Sequence, residues 1–378
     1  MSSEARHVYV HVPFCARRCS YCDFSIAVRR DVPVTEFLDA LRRELTVRLG
    51  EPGTRSAPAS IETLYFGGGT PSHLGAAGVG AMMTMLREFF IWPSDAEVTL
   101  EANPDDVTAS ATAAWRAAGI TRVSLGAQSF DDSVLSWMHR SHSSAQIDTA
   151  VDVLRESGFA SWSFDLIFAL PATLQRDWER DLHRALEKRP PHLSLYGLTI
   201  EPGTPLSRWN DRGEAQPADE LAYEHEFLSA HAAAASAGFD HYEVSNFAQP
   251  GHHAVHNRSY WSGAPYLGVG PSAHGFDGRV RRWNRAAYAA WRDAVAGGDD
   301  PMAGSEPIGM DEAWVEAVYL GLRTTSGLVI HPSQAATLEP WIARGWAAIE
   351  GDRLTLTPLG WLRLDSLAGA ITPVLAAK

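Results

Sequence analysis

Between residues 8 and 198 the chain alternates short apolar runs with longer amphipathic stretches. The runs are VYVHV (8–12), IETLYF (61–66), EVTLEA (97–102), RVSLGA (122–127), SFDLIFAL (163–170) and HLSLYGL (192–198). Between them EFLDALRRELTVRL, AMMTMLREFF, ATAAWRAAG, AQIDTAVDVLRESG and DWERDLHRALEK carry apolar residues three and four positions apart, the spacing that gives a helix one apolar face. This order predicts βα units, with a parallel sheet covered by helices. Six strands fall short of the eight of a closed (β/α) barrel. Periodicity alone therefore leaves two α/β architectures, an open six-unit partial barrel and a doubly wound sheet.

After residue 200 the pattern changes. EPGTPL reads as a turn, LAYEHEFLSAHAAAASAG as a helix, and HYEVSNFA (241–248) as one further strand leading into a glycine- and histidine-bearing stretch from Gln249 to Gly275. Pro301 to Ser305 reads as a linker. Beyond it DEAWVEAVYLGLRT and SQAATLEPWIARG predict helices, and WAAIEGDRLTLT predicts a hairpin turning at Gly351–Asp352. The expected organisation is a core over 1–240, a joining segment over 241–300, and a small winged-helix-like module over 301–378.

Composition narrows the class. The 378 residues are 45% hydrophobic and 20% charged, with 13 Trp and 14 Phe, which is ample for a packed core. No stretch approaches the roughly 18–20 unbroken apolar residues of a membrane span, and MSSEARHVYV lacks a basic start followed by an apolar run. The expected location is cytoplasmic. A formal net charge of -13 argues against a long nucleic-acid partner, because such partners are bound by basic faces.

All three cysteines lie in CARRCSYC, at Cys15, Cys19 and Cys22. An odd number packed this tightly is no disulfide framework; reduced thiolates are expected, favoured by Arg17 and Arg18 between them. The spacing C-x3-C-x2-C puts three thiolates on one loop after the first strand. An iron–sulfur cube usually takes four cysteines, so one iron would be left without a cysteine ligand. Zinc held by three cysteines and His11 or His7 is the rival, although structural zinc loops normally bring ligands in two separated pairs.

YVHVPFCARRCSYCDF resembles the signature of radical S-adenosylmethionine (SAM) proteins, in particular the oxygen-independent coproporphyrinogen III oxidase-like group. In that family SAM occupies the iron that three cysteines leave open. The resemblance therefore implies a [4Fe-4S] cluster, SAM as cofactor, and the open six-unit partial barrel. It extends along the chain through GGGTPS (67–72), EANP around Glu101, GAQSF around Gln128, and Asp165 in the fifth run. Consecutive glycines let backbone amides approach a ligand, and polar residues at successive strand ends suit a barrel site. The family motif implies a SAM pocket lined by Tyr9, Gly68, Gly69, Thr70, Glu101, Gln128, Arg140 and Asp165.

Two functions within this family remain open. Coproporphyrinogen oxidases of porphyrin biosynthesis carry a fourth cysteine two residues after the third, where this chain has Phe24, and an extension ahead of the first strand, where this chain has only a few residues. Both differences resemble the HemW-type haem chaperones, which bind haem and pass it to acceptor proteins, respiratory ones among them. His256, Tyr260 and Trp261 form the H-N-x-x-Y-W pattern associated with haem binding in those chaperones. His256 is the expected axial ligand, with Tyr260 and Trp261 as walls and His252 and His253 as alternatives. A radical SAM enzyme acting on RNA is a third reading, disfavoured by the acidic charge.

Overall fold

Residues alternate between two faces along a strand, and here the two faces differ in chemistry. We label the six predicted strands β1 (His7–Val12), β2 (Thr63–Gly68), β3 (Glu97–Ala102), β4 (Arg122–Gln128), β5 (Ser161–Phe168) and β6 (His192–Gly197). One face carries Val8, Val10, Val12, Leu64, Phe66, Val98, Leu100, Val123, Leu125, Phe164, Leu166, Leu193 and Leu195, all buried in the main apolar core. Each such side chain contributes about 1.5–3 kcal/mol of burial free energy. The other face carries Tyr9, His11, Tyr65, Glu101, Ser124, Ser163, Asp165 and Ser194 in the same strands. The apolar face packs on helices, and the polar face is left to line an interior.

The computed structural model describes residues 5–54 and 58–376; residues 1–4 of the N-terminal start considered above lie outside them. The helices following the strands are α1 (Val34–Leu49), α2 (Gly75–Leu86), α3 (Ala109–Ala118), α4 (Asp132–Trp137), α5 (Ser144–Glu156), α6 (Trp178–Glu187), α7 (Pro205–Asp211) and α8 (Glu220–Ser236). β1 to β6 lie side by side in sequence order and pair in parallel, His7 opposite Thr63, Thr63 opposite Glu97, and Ser194 opposite Asp165. The doubly wound alternative is thereby excluded, since its strand order reverses.

HYEVSNFA forms two strands rather than one. β7 (Asp240–Glu243) and β8 (Asn246–Ala248) make an antiparallel hairpin beside β6, because Val244 and Ser245 turn the chain between them. On the other edge, after α9 (Val255–Trp261), β9 (Tyr266–Val269) pairs in parallel with β1, and β10 (His274–Phe276), β11 (Val280–Asn284) and β12 (Met302–Pro307) follow antiparallel. The expected linker at Pro301–Ser305 thus contributes most of an edge strand. The result is a mixed 12-stranded sheet in the order β7-β8-β6-β5-β4-β3-β2-β1-β9-β10-β11-β12, whose two edges do not pair with each other.

Buried Glu44 of α1 ties the added strands to the core. It accepts from Gly270 N–H (2.8 Å), Asn284 Nδ2 (2.7 Å) and Trp291 Nε1 (2.8 Å) and pairs with Arg48 at 3.0 Å. Trp291 belongs to α10 (Tyr288–Ala296). A carboxylate at this depth persists only because every oxygen is bonded.

The C-terminal part contains α11 (Met310–Leu322), β13 (Leu328–Val329), α12 (Ala335–Ala343), β14 (Ala347–Glu350), β15 (Arg353–Leu356), α13 (Pro358–Trp361) and α14 (Leu364–Ala376). The hairpin turns at Gly351–Asp352 as expected, and β13 adds to it as a third strand. Among the described residues no helix is long and apolar enough to cross a membrane.

Helix α9 closes the N-terminal end of the polar interior. Glu97, at the start of β3, accepts from the backbone N–H groups of Val255 (2.8 Å) and His256 (2.9 Å). His256 Nδ1 lies 2.7 Å from Thr63 Oγ1 at the start of β2.

Candidate functional site

At the opposite, C-terminal ends of the strands lies a cavity of about 410 Å³. Its first wall is the cysteine loop. Phe14–Cys15 pairs in parallel with Ala27–Val28, which closes the neck of the loop. Ser20 pins the loop's middle, donating N–H to the Met138 carbonyl (3.1 Å) and accepting from Leu206 N–H (2.8 Å). Cys15, Cys19 and Cys22 all line the cavity.

Thr70 Oγ1 donates to Cys15 Sγ (3.4 Å), and Arg140 Nη1 donates to Cys19 Sγ (3.4 Å). Burial pushes the Cys15 thiol up and Cys22 up to about 12. The expectation that Arg17 and Arg18 keep these thiols ionised therefore fails for Cys15 and Cys22. Their guanidinium donors go to the Arg140 carbonyl and the Cys22 carbonyl, at 3.3 and 3.4 Å, and desolvation outweighs them. Ionising Cys15 and Cys22 takes a bound cation.

The second wall is the end of β2. A Cβ on Gly68 (φ +108°) would meet the His11 ring at 2.5 Å, and one on Gly69 would meet the Pro13 backbone at 2.7 Å. Glycine is required at both, and backbone from Gly68 to Thr70 faces the cavity. The far wall holds two carboxyls. Glu101 Oε1 accepts from Tyr65 Oη (2.9 Å) and Oε2 from Gly68 N–H (3.2 Å). Burial and the neighbouring Asp165 raise its pKa to about 7. Asp165 accepts from Ser124 Oγ at 3.0 Å, and burial raises it to about 6.

Of the eight residues expected around SAM, Gly68, Gly69, Thr70, Glu101, Gln128, Arg140 and Asp165 line this one cavity. Tyr9 does not reach it; its ring stacks on Tyr65, with centroids 6.1 Å apart, and its hydroxyl lies 3.2 Å from His11 Nδ1. Sequence reasoning passed over Tyr65, Asn103 and Ser124, which hold Glu101, Arg140 and Asp165 in place. Their signal was position: Tyr65 and Ser124 each stand two residues from an inward-facing site residue in strand register.

His256, Tyr260 and Trp261 are elsewhere. His256 is 1% exposed at the other end of the barrel interior, and burial lowers its pKa to about 3. Nδ1 is bonded to Thr63, and Nε2 lies 2.8 Å from Tyr260 Oη. Its ring packs on Tyr65 at 5.0 Å. Neither nitrogen is free for iron, so this conformation does not present the expected axial ligand between barrel mouth and C-terminal module. Tyr260 holds His256, and Trp261 lies against the Arg323 guanidinium at 4.2 Å. His253 stacks on Tyr242 at 4.3 Å.

The donor set fits an iron–sulfur cube. Among the described residues the cysteines, with any His, Asp or Glu, are not gathered around one point closely enough for a single ion, as tetrahedral zinc demands at about 2.0–2.3 Å per ligand. A cube asks one thiolate of each of three irons. His11 is also spoken for, with Nε2 3.0 Å from the Ser25 carbonyl. The bare backbone at Gly68–Thr70 and the two carboxyls suit a small cationic ligand beside such a cluster.

Comparison with known proteins decides the family. The radical SAM superfamily pattern matches residues 9–185. The haem chaperone HemW of Mycobacterium tuberculosis is 38% identical over 373 residues, covering 97% of this chain and 95% of that one. The chain belongs to the HemW family. The Escherichia coli HemW is 34% identical over 286 residues, 74% of each chain. The solved structure of E. coli HemN, a coproporphyrinogen III oxidase described as a radical SAM enzyme, superposes with a TM-score of 0.81 over 99% of this chain and 92% of that one at 22% identity. At that identity HemN shares the fold.

Proposed function

We propose that this protein is a haem chaperone that holds a [4Fe-4S] cluster on Cys15, Cys19 and Cys22 with SAM beside it, and transfers haem to acceptor proteins. The observation that carries the reading is near full-length similarity to HemW, joined to Phe24 standing where the oxidases have a fourth cysteine. Within the cavity the chain's own residues divide the work. Backbone at Gly68 and Gly69 contacts the ligand without side-chain interference. Glu101 and Asp165, raised by burial, become anionic once a cationic ligand arrives, which adds charge pairing in a low-dielectric site. Arg140 donates to Cys19 Sγ and so holds the middle cysteine of the loop in place. SAM, when bound, supplies the family's sulfonium and the potential for radical chemistry.

The test is anaerobic turnover of coproporphyrinogen III by reconstituted protein with SAM and a reductant. No protoporphyrinogen IX is expected. Steady multiple turnover would reinstate the oxidase reading.

A further inference from the structure

The cavity that would house cluster and SAM has a rim whose side chains neither group uses. Phe24 is 57% exposed and Tyr196 45% exposed, though both line the cavity. Large aromatics standing this far into water beside a cavity suit a flat apolar ligand laid across it. The same rim carries Arg17, exposed and with no carboxylate within ion-pair distance among the described residues; of its five N–H donors the Nη1 group alone is engaged there, on the Arg140 carbonyl at 3.3 Å.

His139 completes the rim. Among the described residues it is the one histidine lining the cavity, it is exposed, and no side-chain hydrogen bond holds its ring; its aromatic neighbour is Trp209, edge-on at 5.4 Å. Its backbone is left-handed, with φ 58°. The cause is local. α4 ends with Arg140 N–H donating to the Leu135 carbonyl (2.9 Å) and His139 N–H to the Ser136 carbonyl (3.0 Å), the paired bonds of a Schellman end, which place the residue after the cap in the left-handed region and favour glycine there. A histidine at that position costs conformational energy that glycine would not. It lies beside Arg140, which reaches Cys19.

Haem offers an iron that takes an axial imidazole, two flat apolar faces and two carboxylates. We propose that haem docks across the rim of the cluster cavity, with His139 as an axial ligand, Phe24 and Tyr196 against the macrocycle and Arg17 toward the propionates. This rests on the chaperone reading. It places haem at the end of the barrel opposite His256, whose nitrogens are both bonded internally.

The experiment is haemin titration of the reconstituted full chain, followed by Soret spectrum, for wild type, His139→Gly, Arg17→Gln and His256→Asn. Glycine suits the left-handed backbone, so His139→Gly should melt no lower than wild type. Its haem affinity should fall about tenfold or more with a shifted Soret band, and free imidazole should restore the band. Arg17→Gln should weaken binding without moving the band, and His256→Asn should keep the wild-type band. Wild-type binding with an unchanged band and affinity in His139→Gly overturns the rim assignment and leaves the chaperone reading standing. Absence of saturable binding by wild type removes both.

Discussion

Arg140 lies with Nη1 3.4 Å from Cys19 Sγ, while its Nη2 donates to Asn103 Oδ1 (2.6 Å) and the Gly126 carbonyl (2.8 Å). One guanidinium thus joins the cysteine loop to the segment after β3 and to β4. Arg140→Gln leaves those acceptors without their charged donor, which costs about 1–3 kcal/mol. It should lower the melting temperature and the iron content after reconstitution. Unchanged iron retention in the variant would show that the loop is positioned without it.

Replacing any one of Cys15, Cys19 and Cys22 by alanine should abolish the cluster's visible absorbance, whereas wild type should hold about four irons per chain with matching labile sulfide. Stoichiometric zinc without sulfide in anaerobically purified protein would contradict the cube.

The two raised carboxyls predict a pH effect in the ligand-free protein. Glu101 moves from 4.5 to about 7 and Asp165 from 3.8 to about 6, chiefly through burial. The folded state therefore holds protons that the unfolded chain releases. The associated stability is fully present below the unfolded values and is lost as pH rises through the folded ones. Buried histidines such as His256 act oppositely, so the difference between wild type and Glu101→Gln isolates the effect. Relative to the variant, wild type should lose roughly 2–3 kcal/mol between pH 4.5 and 8, read from denaturant melts. Parallel stability curves would contradict it.

Glu243 is fully buried and pairs with Arg323 Nε at 3.1 Å, and the same guanidinium covers Trp261 of α9. This contact fastens the segment after α11 to the hairpin edge of the sheet. Arg323→Met strands a buried carboxylate and should cost about 3–5 kcal/mol. Adding Glu243→Gln should recover much of that loss in a double-mutant cycle. Additive losses would mean that the pair is not coupled.

Much of the core was legible because the strands of the barrel obey period two with strongly apolar outer faces. Val8, Val10 and Val12 alternate with His7, Tyr9 and His11, and the predicted strands fall within two residues of those observed at either end. The cavity was legible where strand-end chemistry is unusual, as in the glycine run and at Glu101. β9 to β12 were not, because β9 and β10 are short and interrupted by glycine, β11 and β12 lack a clear apolar alternation, and pairing between Tyr266 and His7 joins residues far apart in sequence. Proximity misled at His256. Its motif, with aromatic neighbours in sequence, resembles a ligand pocket, but α9 turns inward and the imidazole is used to bond Thr63 and Tyr260. His139 escaped notice because its position depends on how a helix ends.

Haem carriage by this chain is read most directly by an equilibrium titration of the anaerobically reconstituted wild-type protein with haemin, followed by difference absorbance at the Soret band. One saturable site per chain is expected, with a band distinct from that of free haemin, and that haem should pass to an added apo-haem protein at a rate that rises with acceptor concentration. A linear, unsaturated response indistinguishable from nonspecific adsorption, or transfer at a rate independent of acceptor, would contradict it.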